Sequence, residues 1–467
     1  MNNLKKLFLV SLILSGGILQ TNAQNFVEEV LKKPIQQAIT ENAEVKIQQK
    51  QSDGTQMEKE AVKGKNLPQI SLMGGYGYLY SQLSPEFPTH YLPITGTPIF
   101  EDALVSNFQT QALMAGISAR QIIFAGGQVN QGIKALEEKQ KAETFLAEAG
   151  KEEVAKEVIL TFDQLMLLNE VDKLLKDSEK RLNKEHQKVL KAIENGLAIP
   201  YDRDKLKLAI LELEEKQVEA EGNREVLYSK LKYLTRMSKE ELENILYELQ
   251  PFLVKESAKT PENRAELKAL KSGRKAKEYA YKKEKGSNFP TVFAFGNLTY
   301  LDAFNSSLKF RDVPAAGDIK ARADHIRLEP AAAIGVGLKW DIFKGVENRK
   351  KIKKAELELE SSEIKLKDTQ EKLELLIHKN KVDLQTADKK VLVADQQVKI
   401  AENNLNLATK QYASGIVDLT ERLASENEFY KVNLNYYNQI LNQRNAAIEL
   451  LLGTGELLDK IYDDYEN

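Results

Sequence analysis

Between residues 35 and 66 the apolar positions Ile35, Ala38, Ile39 and Val45 recur at helical spacing among charged neighbours. Pro68 ends that pattern, and the residues beyond it alternate. Ile70, Leu72, Gly74, Tyr76, Tyr78 and Tyr80 fall on one face of a strand, with Gln69, Ser71, Met73, Gly75 and Gly77 on the other. A second alternating run puts Ile117, Ala119, Gln121 and Ile123 on one side and Ser118, Arg120 and Phe124 on the other. It closes on a Gly pair, Gly126-Gly127, and passes into a charged tract, 128–194, that contains no proline. At about 1.5 Å per residue such a helix extends on the order of 100 Å, longer than any compact domain requires.

The whole pattern occurs twice. "ENAEVKIQQKQSDGTQMEKEAVKGKNLPQISLMGGYGYLY" (41–80) is repeated in "ENRAELKALKSGRKAKEYAYKKEKGSNFPTVFAFGNLTYL" (262–301), with Pro68 matching Pro290. "GISARQIIFAGGQ" is repeated in "GVGLKWDIFKGVENRKKIKKA" (335–355), with Phe124 matching Phe343 and Gly126 matching Gly345; Gly196 matches Gly415. The second copy gives Val292, Ala294, Gly296, Leu298 and Tyr300 on one strand face, then Val336, Leu338, Trp340 and Ile342 on the return strand. Its long helical tract places Leu366, Leu373, Leu376, Leu384, Val391, Val398 and Leu405 on a coiled-coil-like seam. Duplication therefore predicts two repeats, 24–250 and 251–467. Strands are expected at about 68–80, 112–124, 290–300 and 331–343, and long helices at about 128–195, 200–236, 346–414 and 419–451. The links 81–111 and 301–330, rich in Pro, Gly, Asp and Ser, read as long loops.

Residues 1–23 read as a cleavable signal peptide. Lys5 and Lys6 precede the apolar run 7–19, and Thr21 and Ala23 stand where a signal peptidase reads, so cleavage is expected after Ala23. No other stretch is long and apolar enough for a membrane helix, so an exported chain of this kind reaches a membrane only through strands. Charged residues make up 29% of the chain, Gly only 25 and Pro 12 of 467 residues, which suits long exposed helices better than a large globular core. The net charge of −2 gives no reason to expect a nucleic-acid partner. There is no cysteine, hence no disulfide, thiolate metal site or lipidated cysteine.

The strand faces are apolar with aromatics toward the ends, backed by small or polar residues, which is the pattern of a membrane β-strand. Four strands are too few to close a barrel, and an open edge in lipid leaves backbone groups unpaired at several kcal/mol each, so an oligomer is required. A soluble hairpin packed on a helix, in a periplasmic coiled-coil scaffold or adaptor, is the alternative.

The strand-to-helix passages ending in Ile-Phe-x-Gly, the helix running into x-Pro and a strand, and Tyr412-Ala-Ser-Gly415 together resemble the TolC-like outer-membrane efflux proteins along nearly the whole mature length. Val346 in place of a second Gly, and Ile193 where a Tyr would stand, are mild departures. The resemblance implies an α+β membrane protein: a homotrimer with a twelve-stranded outer-membrane β-barrel and a periplasmic α-helical tunnel. It implies a passive duct for drugs, metals, small toxic compounds or secreted proteins, without covalent chemistry or cofactor. A periplasmic adaptor and an inner-membrane pump would be its partners.

The candidate site lies at the two helix-hairpin turns. Asp202 and Glu421 each stand six residues beyond a tip glycine, Gly196 and Gly415. In a symmetric oligomer they would form acidic rings at a constriction, favouring cations; the resemblance gives matching acidic positions a part in closing the periplasmic entrance. The alternative is capping: Asp418-Leu-Thr-Glu421 fits a capping box, and Asp202 beside Pro200 suits the acidic first turn of a helix. Both glycines are expected in a left-handed conformation. Tyr412 is read either as a latch to a neighbouring helix or as packing. Arg120, Lys339 and Asp341 are expected on the polar face, toward a water-filled lumen, and Trp340 at a membrane interface. His90, His186, His325 and His378 lack metal-site spacing, no phosphate-binding loop or nucleophile elbow is present, and scattered Asp/Glu pairs on the long helices read as solvated faces.

Overall fold

The computed structural model describes residues 27–84, 88, 90–96, 98–100, 106–254, 260–313 and 317–462; the expected signal peptide lies outside them. In chain order the elements are α1 (Glu29–Glu41), α2 (Ala43–Gly64), β1 (Gln69–Leu83), the short β2 (His90–Tyr91) and β3 (Pro98–Phe100), β4 (Ser106–Ala125), α3 (Gln128–Glu194), α4 (Pro200–Thr235) and α5 (Lys239–Glu243). A 3₁₀ turn (Pro261–Asn263) leads into α6 (Ala265–Gly286), β5 (Thr291–Val313), β6 (Gly317–Lys339), α7 (Glu347–Ala413), α8 (Leu419–Thr454) and α9 (Leu457–Tyr462). The duplication read from the sequence is visible in the lengths. The helices α2 and α6 have 22 residues each, α3 and α7 67 each, and α4 and α8 36 each.

The chain forms two compact units, one from the segments ending at Ile47, Ala147–Leu267 and beginning at Thr369, the other from Gln48–Leu146 and Lys268–Asp368. Both repeats contribute to each. In the first unit Leu31, Ile35 and Ala38 of α1 pack with Val154–Met166 of α3, Leu231 of α4, Leu242 of α5 and Ile440–Leu452 of α8. Side-chain contacts then run from helix to helix. The pair Arg224–Asp172 joins α4 to α3, Arg181–Glu426 joins α3 to α8, and Asn380 donates to the carbonyl of Glu449, joining α7 to α8. The helices thus follow in the order α4, α3, α8, α7. Of the seam expected on α7, Leu373, Leu384, Val391 and Leu405 are buried, and Leu366, Leu376 and Val398 half-buried.

The second unit contains an antiparallel sheet in the order β1-β4-β5-β6. Its strands are longer than the alternation alone suggested. The links 81–111 and 301–330 are not long loops throughout: β4 starts at Ser106, β5 runs to Val313 and β6 starts at Gly317. Pro330, which reads as a loop marker, sits in a bulge. The ladder passes from Thr299↔Ala331 to Leu301↔Leu328, so the extra residue takes the proline, which has no N–H, out of the regular pairing. At the other end β6 stops at Lys339 and does not continue to Phe343. Here β4 overruns β1, and its last residues, Gln121–Ala125, are held by β5. β6 ends level with the start of β5, Lys339 opposite Thr291 directly after Pro290, and among the described residues no strand pairs with its other side.

One face of the sheet carries Ile70, Leu72, Tyr76, Tyr78, Leu113, Ile117, Leu298, Ile334, Val336 and Leu338 in register, all exposed; Leu72 is 79% and Ile334 92% accessible. The other carries Gln69, Ser71, Ser118, Arg120, Phe293, Phe295, Asn297 and Lys339. Ser71 and Ser118 share a hydrogen bond of 2.7 Å across strands, and the Arg120 guanidinium lies 3.8 Å over the Phe293 ring.

Candidate functional site: the helix-hairpin turns

The two turns are built alike. Gly196 has φ +68° and Gly415 φ +72°, the left-handed conformation that a side chain disfavours. Each closes its helix with the same pair of bonds. Gly196 N–H donates to Ile193 O and Leu197 N–H to Ala192 O; Gly415 N–H donates to Tyr412 O and Ile416 N–H to Gln411 O. These satisfy carbonyls that the helix end would otherwise leave open.

The restarts differ. Asp418 accepts a hydrogen bond from Glu421 N–H at 2.9 Å, whereas the cap of α4, Ile199, offers no side-chain acceptor and Pro200 opens the helix. Among the described contacts the Glu421 carboxylate does not return to the Asp418 backbone, so the capping box is half formed and Glu421 is exposed. Asp202 is half-buried in the first turn of α4, where the helix dipole favours its charge. The turns are tied to each other by Lys205 Nζ, which donates to Thr420 Oγ1 at 2.6 Å. Tyr412 packs against the apolar cluster that includes Leu182, Val189, Leu206 and Leu419. Burial, with the nearby carboxylates of Glu185 and Asp202, raises its hydroxyl above the ordinary tyrosine value, against the opposing pull of Arg422. The structure thus brings Tyr412 and Asp202 into one electrostatic neighbourhood. Leu197, Ile199, Tyr201 and Ile416 are exposed around the turns.

The expected sheet residues lie at one end of the sheet. Arg120 is in β4 and Lys339 ends β6. Asp341 lies just past the strand, 2.7 Å from Lys344 Nζ and 3.9 Å from Lys339 Nζ, and the Lys344 ammonium lowers its carboxyl pKa. Trp340 donates its indole N–H to Asn288 O.

Two clusters on α8 bury ion pairs that the sequence reading did not single out. Beyond the turn, buried Glu426 takes Arg181 Nη2 at 2.7 Å and buried Arg422 Nη1 at 2.9 Å. Further along, Arg444 is 1% and Asp163 0% accessible. Arg444 Nε donates to Asp163 Oδ2 at 2.7 Å, its Nη1 and Nη2 to Glu28, and Nη1 to Gln250 O, while the guanidinium lies 3.6 Å over the Phe252 ring. Tyr247 O–H completes the site by donating to Asp163 Oδ1 at 2.6 Å. Burial works against the Arg444 cation, but the facing carboxylates of Asp163 and Glu28 outweigh it and keep the residue charged. Arg and Glu spaced four apart look the same in sequence whether they are solvated or buried; only the apolar residues around Arg444 on α8 gave a hint.

Among the described residues no helix is long and apolar enough to cross a membrane, and no group of His, Asp and Glu could hold a metal ion. The sheet with one exposed apolar face, together with the duplicated long helical hairpins, is a fold shared with solved outer-membrane channels. The similarity is 13% in identity to a membrane protein from Pseudomonas aeruginosa, over 92% of this chain and 91% of that one, with a TM-score of 0.73. The Campylobacter jejuni CmeC outer membrane channel gives 16% identity, 95% and 88% coverage and a TM-score of 0.69. The Vibrio cholerae outer membrane protein VceC gives 15%, 91% and 96%, and 0.68. Residues 259–456 match the family model "Outer membrane efflux protein". No curated protein matches the sequence.

Proposed function

We propose that the protein is the outer-membrane exit duct of a tripartite efflux or type I secretion machine, passing small molecules or proteins without chemical change. The observation that carries this reading is the exposed apolar face shared in register by all four strands. At about 25 cal/mol per Å² such a surface strongly favours lipid over water. A soluble scaffold would have to leave Leu72, Ile334, Val336 and Leu338 in solvent. Among the described residues β1 and β6 are each paired on one side only, so closure in lipid needs other copies. Three copies give a twelve-stranded barrel of the size the resemblance implies, with Arg120, Lys339 and Asp341 toward the lumen.

In this reading the leader is removed after Ala23, and the helical hairpins stand in the periplasm. Their turns meet the adaptor through exposed Leu197, Ile199, Tyr201 and Ile416, and the inner-membrane pump delivers cargo. Asp202 and Glu421 form acidic rings at the entrance, with Tyr412 and Gly196 and Gly415 setting the turn geometry. Membrane fractionation tests the duct. Heat-modifiable, detergent-requiring material in the outer membrane is expected; recovery in the soluble periplasm refutes it. For the gate, Asp202→Ala with Glu421→Ala raises single-channel conductance or weakens divalent-cation block in planar bilayers. Unchanged conductance and block leave these carboxylates as helix-end charges only.

A further inference from the structure

The last part of α6 and the first part of α7 flank the second β-hairpin, and both are basic. Residues 271–285 hold seven lysines and arginines against two glutamates, and residues 344–354 hold six against one. The chain as a whole has a net charge of −2. The matching segments of the first repeat are nearly neutral: 49–63 has three cations against three carboxylates, and 125–135 has Lys134 alone. The same scaffold occurs twice, and only the second copy carries the charge.

Local pairing does not cancel it. Lys277 pairs with Glu358 at 2.8 Å, Lys282 with Glu278 at 2.6 Å and Lys351 with Glu347 at 2.6 Å, but the cations outnumber the carboxylates. Lys275, Lys285, Arg349 and Lys350 are exposed and face no carboxylate among the described residues. On α7 the cations point to all sides, because residues 349, 350, 351, 353 and 354 are offset by about 100° per residue around the helix. Further along the same helix the sign reverses, with Glu356, Glu358, Glu360 and Glu363 on the next turns.

The charge is concentrated at one level, where the apolar sheet gives way to helix. Val292 of β5 lies opposite Leu338, the last apolar residue of β6. Three residues separate α6 from Pro290, and seven separate β6 from α7. At about 1.5 Å per residue the α7 cations fall within about 12 Å of the helix start, close to a Debye length of about 8–10 Å. Aromatic rings share this level. Lys282 Nζ lies 5.2 Å from the Tyr279 ring and Lys285 Nζ 5.3 Å from the Tyr281 ring, and Phe289 and Trp340 are exposed at the strand ends. Apolar rings tipped with cations suit the boundary between hydrocarbon and headgroups.

We propose that this basic patch binds the phosphate headgroups of anionic phospholipids in the leaflet on the helix side of the membrane. The proposal rests on the outer-membrane duct above and gives the second repeat a lipid preference that the first lacks. The apolar strand face holds the sheet in hydrocarbon, and the cations choose among headgroups. Each lysine or arginine beside an anionic surface strengthens binding about fivefold. The glutamates on the following turns are repelled by the same surface, so α7 is polarised along its axis with its basic end toward the lipid. A site for acidic cargo inside a lumen would place the cations on one side of α7, whereas they encircle it.

Native mass spectrometry of the full chain in mild detergent, offered equal amounts of phosphatidylglycerol and phosphatidylethanolamine, tests the patch. The unaltered chain should retain phosphatidylglycerol in about tenfold excess or more. Lys285→Gln, Arg349→Gln and Lys350→Gln together should abolish that excess with circular dichroism unchanged, because none of the three holds a carboxylate. Arg349→Lys with Lys350→Arg, which keeps the charge, should keep the excess. Lys50→Gln, Lys59→Gln and Lys63→Gln, which remove as many cations from the first repeat, should leave it unchanged. The patch is overturned, and the duct left standing, by no preference in the unaltered chain, by loss in the charge-keeping exchange, or by equal loss in both triple variants. It is overturned too if the second-repeat triple variant keeps phosphatidylglycerol and instead shifts the ion selectivity of the pore in planar bilayers. Recovery of the unaltered chain in the soluble periplasm overturns both.

Discussion

The contact between α3 and α8 and the exposed faces of α4 and α7 come from the same duplicated helices, yet their chemistry differs at the matching positions. Where α3 meets α8 the helices hold Arg181–Glu426 and Arg444–Asp163, and Tyr437 donates to Glu170. On α7 and α4 the positions matching Arg181, Asp163 and Tyr437 carry the exposed Ile400, Val382 and Val218, whereas those matching Glu426, Arg444 and Glu170 carry Lys207, Glu225 and Lys389. The difference follows from when each contact forms. A junction within one chain forms at high effective concentration, and buried ion pairs there fix which helix faces which, at some cost in desolvation. A junction between copies has to be driven by mass action, and apolar surface supplies that drive without geometric demands.

This contrast can be broken at the internal junction first. Asp163→Ala leaves the Arg444 cation buried without its Nε partner and is expected to cost about 3–5 kcal/mol, read as a lowered denaturant midpoint of the helical unit. A loss below about 1 kcal/mol would mean that Glu28 alone satisfies Arg444. On the open side, Ile400→Lys should change subunit stability by no more than about 0.5 kcal/mol while reducing assembly, seen on native gels. If assembly is unaffected, the α7 stripe is not an interface. The smallest change is expected at Arg422→Met. Two nitrogens of this buried guanidinium, Nε and Nη1, lack a well-formed hydrogen bond, and an apolar side chain of similar length should be neutral or stabilising in urea unfolding. Marked destabilisation would make the Arg422–Glu426 pair a structural tie rather than a tolerated charge.

The repeat, the strands and the long helices were legible because each rests on periodicity, and duplication lets two weak signals support each other. What escaped the sequence did so for specific reasons. The outer parts of β5 and β6 carry Lys309, Arg311, Asp318, Lys320 and Arg322, which read as loop, but a ladder with a neighbouring strand supports polar residues on exposed faces. The sequence carries β6 to Phe343 because Trp340–Phe343 alternates like a strand; it has no strand partner among the described residues, and alternation cannot supply one. At the turns the glycines were legible from their left-handed requirement. The restarts were less so: Asp418 caps as expected, but whether Glu421 folds back on it depends on a rotamer that the sequence does not specify.

The matched lengths, 67 residues in α3 and α7 and 36 in α4 and α8, restrict how such a gene can change. One added turn in α3 alone would advance its loop by about 5.4 Å relative to the loop after α7, so that Gly196 and Gly415 no longer end their helices at corresponding heights. Insertions and deletions in these helices are therefore tolerated in pairs, one per repeat and equal in size. Length variation among related chains should appear as correlated gaps, and a lone insertion in one repeat should mark a chain that has lost the common loop level.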